Sequence, residues 1–260
     1  MISLKGISLF IIVLLLMGWK SSCLLTTPEK ETDPLMLSCQ KFATLYQSIG
    51  DSTITPDSAA TAFKELFREL RQQTYTFRPA CLQEVDSGFI FPVRGYYPQS
   101  SIGGRGKGYR PDGFDFFDSR VRKSHPAHDL FIRDRNNDAI DDVRCEHVDV
   151  LAFTGGFVLG TRENWTPDSQ WRGGNCIWVY NPCLESLFYY AHNHTIDVKP
   201  GQWIKPGEIL GKMGRTGFNA YPPRSTTHLH FMQLKITEEG LPVPVDPYRQ
   251  LLEARVVDWE

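Results

Sequence analysis

Apolar residues recur along the chain with two different periods. Leu35, Cys39, Phe42, Leu45, Tyr46 and Ile49 fall three or four residues apart, as do Phe63, Leu66, Phe67 and Leu70. That spacing lines one face of a helix, so two helices are predicted, the second capped by Thr55 and opened by Pro56. From about Gly88 the texture changes to short apolar runs parted by Gly, Pro, Asn and Asp, the mark of antiparallel β structure. The clearest runs are Val148 to Leu159, Cys176 to Tyr180, Leu187 to Ala191 and His228 to Ile236. Turns at Pro200-Gly201 and Pro206-Gly207 separate short apolar strands, and "VPVDPYRQLLEA" closes the pattern with one short helix. The expected fold is mainly β: an antiparallel sheet domain over 88–260, preceded by a small helical N-terminal region over 23–87.

The first residues break this pattern. Lys5 precedes an apolar run from Ile7 to Met17, and small polar residues follow before Cys23. The run is short for a membrane span and has the proportions of a secretory signal, so residues 1–22 are expected to direct export to the periplasm or cell envelope. Ser21 and Ser22 before Cys23 resemble a lipoprotein signal, although Lys20 stands where an aliphatic residue is usual. Lipidation of Cys23 would attach the protein to a membrane; plain cleavage or an uncleaved anchor are the alternatives.

Composition adds bounds. A chain of 260 residues with 41% hydrophobic content can bury a core, and a formal net charge of -2 offers no global attraction to nucleic acid or an anionic membrane. Beyond Cys23 stand Cys39, Cys81, Cys145, Cys176 and Cys183, an odd set that cannot all pair within one chain. The absence of a CxxC pair speaks against a thiolate zinc site.

Candidate chemistry lies with the histidines. In "TTHLHFMQL" strand alternation puts His228 and His230 on one face with Met232 and Leu234, and Leu229, Phe231 and Gln233 on the other. A lone histidine in a core strand is ordinarily capped by a carbonyl; two neighbours acquire another meaning only if further ligands join them. "KSHPAHDLFI" offers His125 and Asp129, which share a face if the segment is extended, with His128 directed elsewhere. "LFYYAHNHTI" ends a strand at His192 and puts His194 in the following turn. Two histidines and a carboxylate suit a hydrolytic zinc site, because three protein ligands leave the fourth position to water. Further histidines beside the metal could take the water's proton or stabilise an oxyanion.

The order HxxxD, a strand ending YAH, the hairpin VKxGQxIxxGExLGxxGxTG and HLHF resembles the lysostaphin-type (LytM-like) zinc endopeptidases of peptidoglycan, from about Phe91 to about Leu251. The resemblance implies an open substrate groove, Zn2+ held by His125, Asp129 and His230, and catalytic roles for His192 and His228. It also implies peptidoglycan cross-links or stem peptides as substrate. Met232 and Gln233 stand where a glutamate is common, and are expected to bear on the support of a ligand. The long segment between Phe91 and His125 leaves the shape of the groove open.

Other features remain bland. "SIGGRGKGYRPDGFDFF" fits neither phosphate-loop template and is expected to be a flexible basic loop. "RDRNNDAIDD" has Asp134, Asn136 and Asp138 in calcium-loop spacing, but Ala139 replaces the turn glycine and Cys145 the closing carboxylate; a solvated acidic turn is expected. His128, His147 and His194 are expected to be surface or packing residues. Two other functions compete: a non-catalytic module of the same fold that binds wall or activates an amidase, and a biotinyl- or lipoyl-type carrier modified at Lys212. Five convergent site residues argue against both.

Overall fold

The structure, a computed structural model, describes residues 33–77, 81–82, 88–121 and 123–259; the expected signal segment and Cys23 lie outside them. Both expected helices form, as α1 (Pro34–Gly50) and α2 (Pro56–Thr74). Each starts where a side-chain oxygen takes a free backbone N–H, Asp33 from Leu35 and Thr55 from Ser58, with proline immediately after. Their apolar faces meet each other and also the sheet. Phe42, Phe63, Phe67 and Leu70 are buried against Trp178, Tyr180, Met232 and Leu234. Each such side chain contributes roughly 1.5–3 kcal/mol on burial. Thr32–Glu260 is accordingly one compact unit.

Ten strands follow: β1 (Ala127–Phe131), β2 (Asp149–Leu151), β3 (Gly156–Arg162), β4 (Cys176–Asn181) and β5 (Ser186–Ala191), then β6 (Asn193–Ile196), β7 (Trp203–Ile204), β8 (Ile209–Met213), β9 (His228–Ile236) and β10 (Pro242–Val245). Two short helices, α3 (Pro98–Ser101) and α4 (Tyr248–Glu253), flank them, the second as expected from the C-terminal pattern. The main sheet runs β1-β9-β5-β4-β3-β7, with β10 also beside β9; a smaller sheet runs β2-β8-β6. All pairings between these strands are antiparallel.

Two expectations need correction. The run from Val148 to Leu159 is not one strand: the chain leaves the small sheet after Leu151 and enters the main sheet at Gly156. Between them the Phe153 N–H donates to the Tyr190 hydroxyl, and a Cβ on Gly156 would lie 2.6 Å from the Tyr180 carbonyl oxygen. His194, expected in a turn, lies in β6, which pairs with β8.

β9 carries the layering. Leu229 and Phe231 face a core with Phe153, Phe188 and Tyr190, whereas Met232, Leu234 and Ile236 face the core shared with the helices. The expected alternation thus serves two cores at once. Cys81 and Cys183 form a disulfide; Cys39 and Cys176 are buried thiols and Cys145 is exposed. Among the described residues no helix is long and apolar enough to cross a membrane.

Candidate metal centre

Strand register brings distant residues together. Across β1 and β9, Asp129 stands opposite His230 and Phe131 opposite His228. On the other side of β9, Ala191 stands opposite His230, so His192 leaves β5 beside the same point. His125 precedes β1, held by reciprocal backbone bonds with Arg110 at 2.8 and 2.6 Å. Asp129 Oδ1 is then 3.3 Å from His125 Nε2 and 3.1 Å from His230 Nδ1. A tetrahedral zinc with bonds of roughly 2.0–2.1 Å sets its ligand atoms about 3.3 Å apart, so this donor set fits the ion. Among the described residues it is the only cluster of three such donors. The choice of nitrogen is fixed locally: His125 Nδ1 donates to the Gly108 carbonyl at 3.0 Å and leaves Nε2 to the site.

His192 and His228 complete the group. Their rings lie 4.9 Å apart, and His192 is 5.7 Å from the His230 ring. His192 has a left-handed backbone, φ 71°, between β5 and β6; such strain in a non-glycine residue gathers at functional sites. His192 Nδ1 lies 2.7 Å from the Thr216 carbonyl, and His228 Nδ1 2.7 Å from that of Thr226. A carbonyl only accepts, so both Nδ1 atoms carry hydrogen, and a neutral ring so held has its lone pair on Nε2. His228 Nε2 is 3.6 Å from Asp129 Oδ1.

Charge is distributed unevenly. Burial alone would raise the Asp129 pKa, but hydrogen bonds from His125 and His230 outweigh it and hold the carboxyl well below its usual range. Burial lowers His125, yet Asp129 outweighs that and carries it above the ordinary imidazole value. His230 goes the other way, lowered chiefly by burial. His192 is pushed well below the ordinary value by burial first and then by its neighbours His228 and His230, which keeps it neutral.

All five residues line one groove of about 900 Å³. Its floor includes Met232 and Tyr189; the Tyr189 hydroxyl is 3.3 Å from that of Tyr46 on α1, and its ring is 6.1 Å from His230.

The sequence profile of peptidase family M23 matches residues 136–247. That stretch, less than half of the chain, is therefore similar to M23 peptidases. The match takes in His192, His228 and His230, while His125 and Asp129 lie upstream and join the site through β1. Several solved structures are similar to this chain. The catalytic domain of the antimicrobial peptidase lysostaphin from Staphylococcus simulans is 24% identical, with 59% of this chain and 94% of that one covered and a TM-score of 0.38. A Ruminococcus gnavus protein assigned as a lytM glycyl-glycine endopeptidase is 20% identical over 76% of this chain and 74% of that one, TM-score 0.42. A zinc-containing peptidase from Vibrio cholerae is 20% identical over 65% and 40% respectively, TM-score 0.37. No curated protein sequence matches the chain.

Several residues that steady the site were given no role by the motifs. Thr216 and Gly217, the last pair of the hairpin motif, seat His192: Thr216 Oγ1 donates to the Asn193 carbonyl and accepts the Asn175 N–H, both at 2.9 Å. A Cβ on Gly217, whose φ is 108°, would lie 2.3 Å from the Arg172 carbonyl oxygen and 2.9 Å from His192 Nδ1. The glycine-rich loop before His125 is an anchor as well as a loop, since Gly108 takes the His125 hydrogen bond and Gly106 abuts the Tyr248 ring.

Two expectations change and a third holds. Asp134 is buried rather than solvated: its carboxylate accepts from the Asp138 and Ala139 N–H groups and from Thr227 Oγ1 at 2.5 Å, bracing the start of β9. Arg215 reinforces that start through the Ser225 carbonyl at 2.7 Å. Gln233 cannot support a ligand directly, because alternation turns it away from the site and its Nε2 donates to Ser186 Oγ at 3.3 Å; only Met232 shares the site face. His128 packs on the opposite face against Tyr109, with Nε2 2.7 Å from Asp246, and His147 stacks on His194 at 4.0 Å.

Proposed function

We propose that this protein is an M23-type, zinc-dependent endopeptidase that hydrolyses peptide bonds in bacterial peptidoglycan cross-links or stem peptides. The observation that carries the reading is the meeting of three metal-competent donors, from His125, Asp129 and His230, with two hydrogen-bonded histidines in one groove. In this reading His125, Asp129 and His230 hold the ion. Zinc so held supplies a charge that polarises a scissile carbonyl and lowers the pKa of water toward neutrality.

The remaining work belongs to His192 and His228. Each offers an Nε2 lone pair to the proton of the attacking water, and whichever takes it becomes an N–H donor to the charge developing on the carbonyl oxygen. The Thr216 and Thr226 carbonyls fix both rings in the tautomer this requires. Asp129, held ionised, keeps the donor set anionic overall.

The substrate class is supported by the motif order and by the similarity to lysostaphin, an antimicrobial peptidase. The N-terminal pattern supports residues 1–22 as an export signal, with Cys23 as a point of lipid attachment, and residues 88–260 as the peptidase region. The Cys81–Cys183 disulfide supports a periplasmic or envelope location, because such bonds persist in oxidising compartments. Zinc-loaded protein is expected to release soluble fragments from peptidoglycan sacculi. A chelator, His125→Ala or His230→Ala should each abolish release, and intact zinc-loaded protein that releases nothing overturns the reading.

A further inference from the structure

The region upstream of the M23 match contributes to the groove itself. At the end of α1, Gly50, Asp51 and Ser52 line the same cavity as the five site residues. They also touch both of its lips. On one side the indole of Trp171 lies against Gly50 so closely that a Cβ there would come within 2.0 Å of it. The Arg162 guanidinium sits 3.4 Å from the centre of the Trp171 ring, and the Tyr46 ring lies 5.4 Å away, so the indole is held in place. On the other side Ser52 Oγ lies 3.0 Å from Ser119 Oγ, on the segment that leads to His125. Trp171, Gly50, Ser52 and Ser119 therefore make a continuous border from lip to lip.

Among the described residues no hydrogen bond runs from α1 or the turn after it to His125, Asp129, His192, His228 or His230. The turn borders the groove without bonding to those residues.

We propose that the turn Gly50–Ser52 ends the substrate groove on one side, and so limits how much peptide the site accepts beyond the bond that is cut. The proposal rests on the peptidase reading and adds a class of substrate to it: peptides that stop or branch away within a few residues on the side of the turn. A chain that continued there would meet the Gly50–Trp171 contact and the Ser52–Ser119 bridge, and its added residues would find no room. Ser52 is suited to a test because its φ of 55° is one that glycine adopts more readily, so Ser52→Gly trims the border without backbone strain. Asp51 is exposed, which makes Asp51→Trp a way to thicken it.

The experiment uses the full zinc-loaded chain and one synthetic peptide that it cuts. That peptide is compared with the same sequence lengthened by several residues at its amino end, and with one lengthened at its carboxyl end. Lengthening at one end is expected to lower kcat/KM by about tenfold or more, within the range a misfitting group costs, and at the other end to change little. Ser52→Gly should raise the ratio of lengthened to short turnover, and Asp51→Trp should lower it. Equal turnover of both lengthened peptides overturns the proposal and leaves the peptidase reading standing. An end penalty that neither variant moves removes the turn as its cause and also overturns the proposal. If no peptide or sacculus is cut, the peptidase reading falls and takes this proposal with it.

Discussion

Asp129 and His230 face each other across adjacent strands, with Oδ1 and Nδ1 3.1 Å apart, although 101 positions separate them in sequence. The carboxylate also meets His125, so one oxygen holds two candidate ligands in place. Asp129→Asn keeps the shape and removes the charge. It is expected to weaken zinc binding by more than the roughly 10–100-fold that loss of a supporting residue costs. Competition against a chelating dye measures this; unchanged affinity would exclude Asp129 from the donor set.

Gly217→Ala tests the seat of His192. The added methyl has no room against the Arg172 carbonyl and the imidazole, so the ring must move. A misplacement of about 1 Å can cost on the order of 100-fold in turnover. Zinc content should stay stoichiometric, since Gly217 touches none of the three donors. Steady-state kinetics beside metal analysis separates the two effects.

Zinc affinity should fall on acidification. His125 titrates above the ordinary imidazole value of 6.5 in the metal-free protein, and it must be neutral to bind. Below that raised pKa a proton competes with the ion, and affinity drops about tenfold per pH unit. Calorimetry in buffers of different ionisation enthalpy should detect proton release at pH 7. Binding that ignores pH between 6 and 8 would contradict the assignment.

Gln233→Glu should not improve the metal site. The side chain is buried on the far face of β9, with Ser186 as its partner, and a carboxylate there is desolvated. The variant is expected to lose about 1–3 kcal/mol of stability and to keep its zinc affinity. Denaturant unfolding and a zinc titration on the same sample test both halves.

Cys183→Ser opens the one disulfide among the described residues, which closes a loop with a sequence separation of 102. The loss of stability should be about 2–4 kcal/mol, seen as a fall in Tm. Zinc binding at 25 °C should persist, because neither cysteine contributes to the donor set.

The site was legible where a period fixed a direction. Alternation alone puts His228 and His230 on one face and Gln233 on the other, and the even offset does the same for His125 and Asp129. The carbonyls of Gly108, Thr216 and Thr226 were not legible, because a backbone acceptor leaves no mark on residue type. Asp134 misled for a related reason: an acidic run reads as solvated until its carboxylate is seen to collect backbone N–H groups. The broken strand after Leu151 was hidden because Phe153 is as apolar as its neighbours, and Gly155-Gly156 alone marked the change of sheet. The role of α1 in the groove depends on tertiary packing, and no local pattern in Gly50–Ser52 announces it.

β9 has a strand on either side and a core against either face, so the fold itself spaces the donors. Small zinc modules collapse when stripped of their ion because little else holds them. Under the proposed zinc reading the ion would be a replaceable part. On that reading the protein would wait, folded and inert, through metal scarcity, and its activity would follow the local zinc supply with no new synthesis.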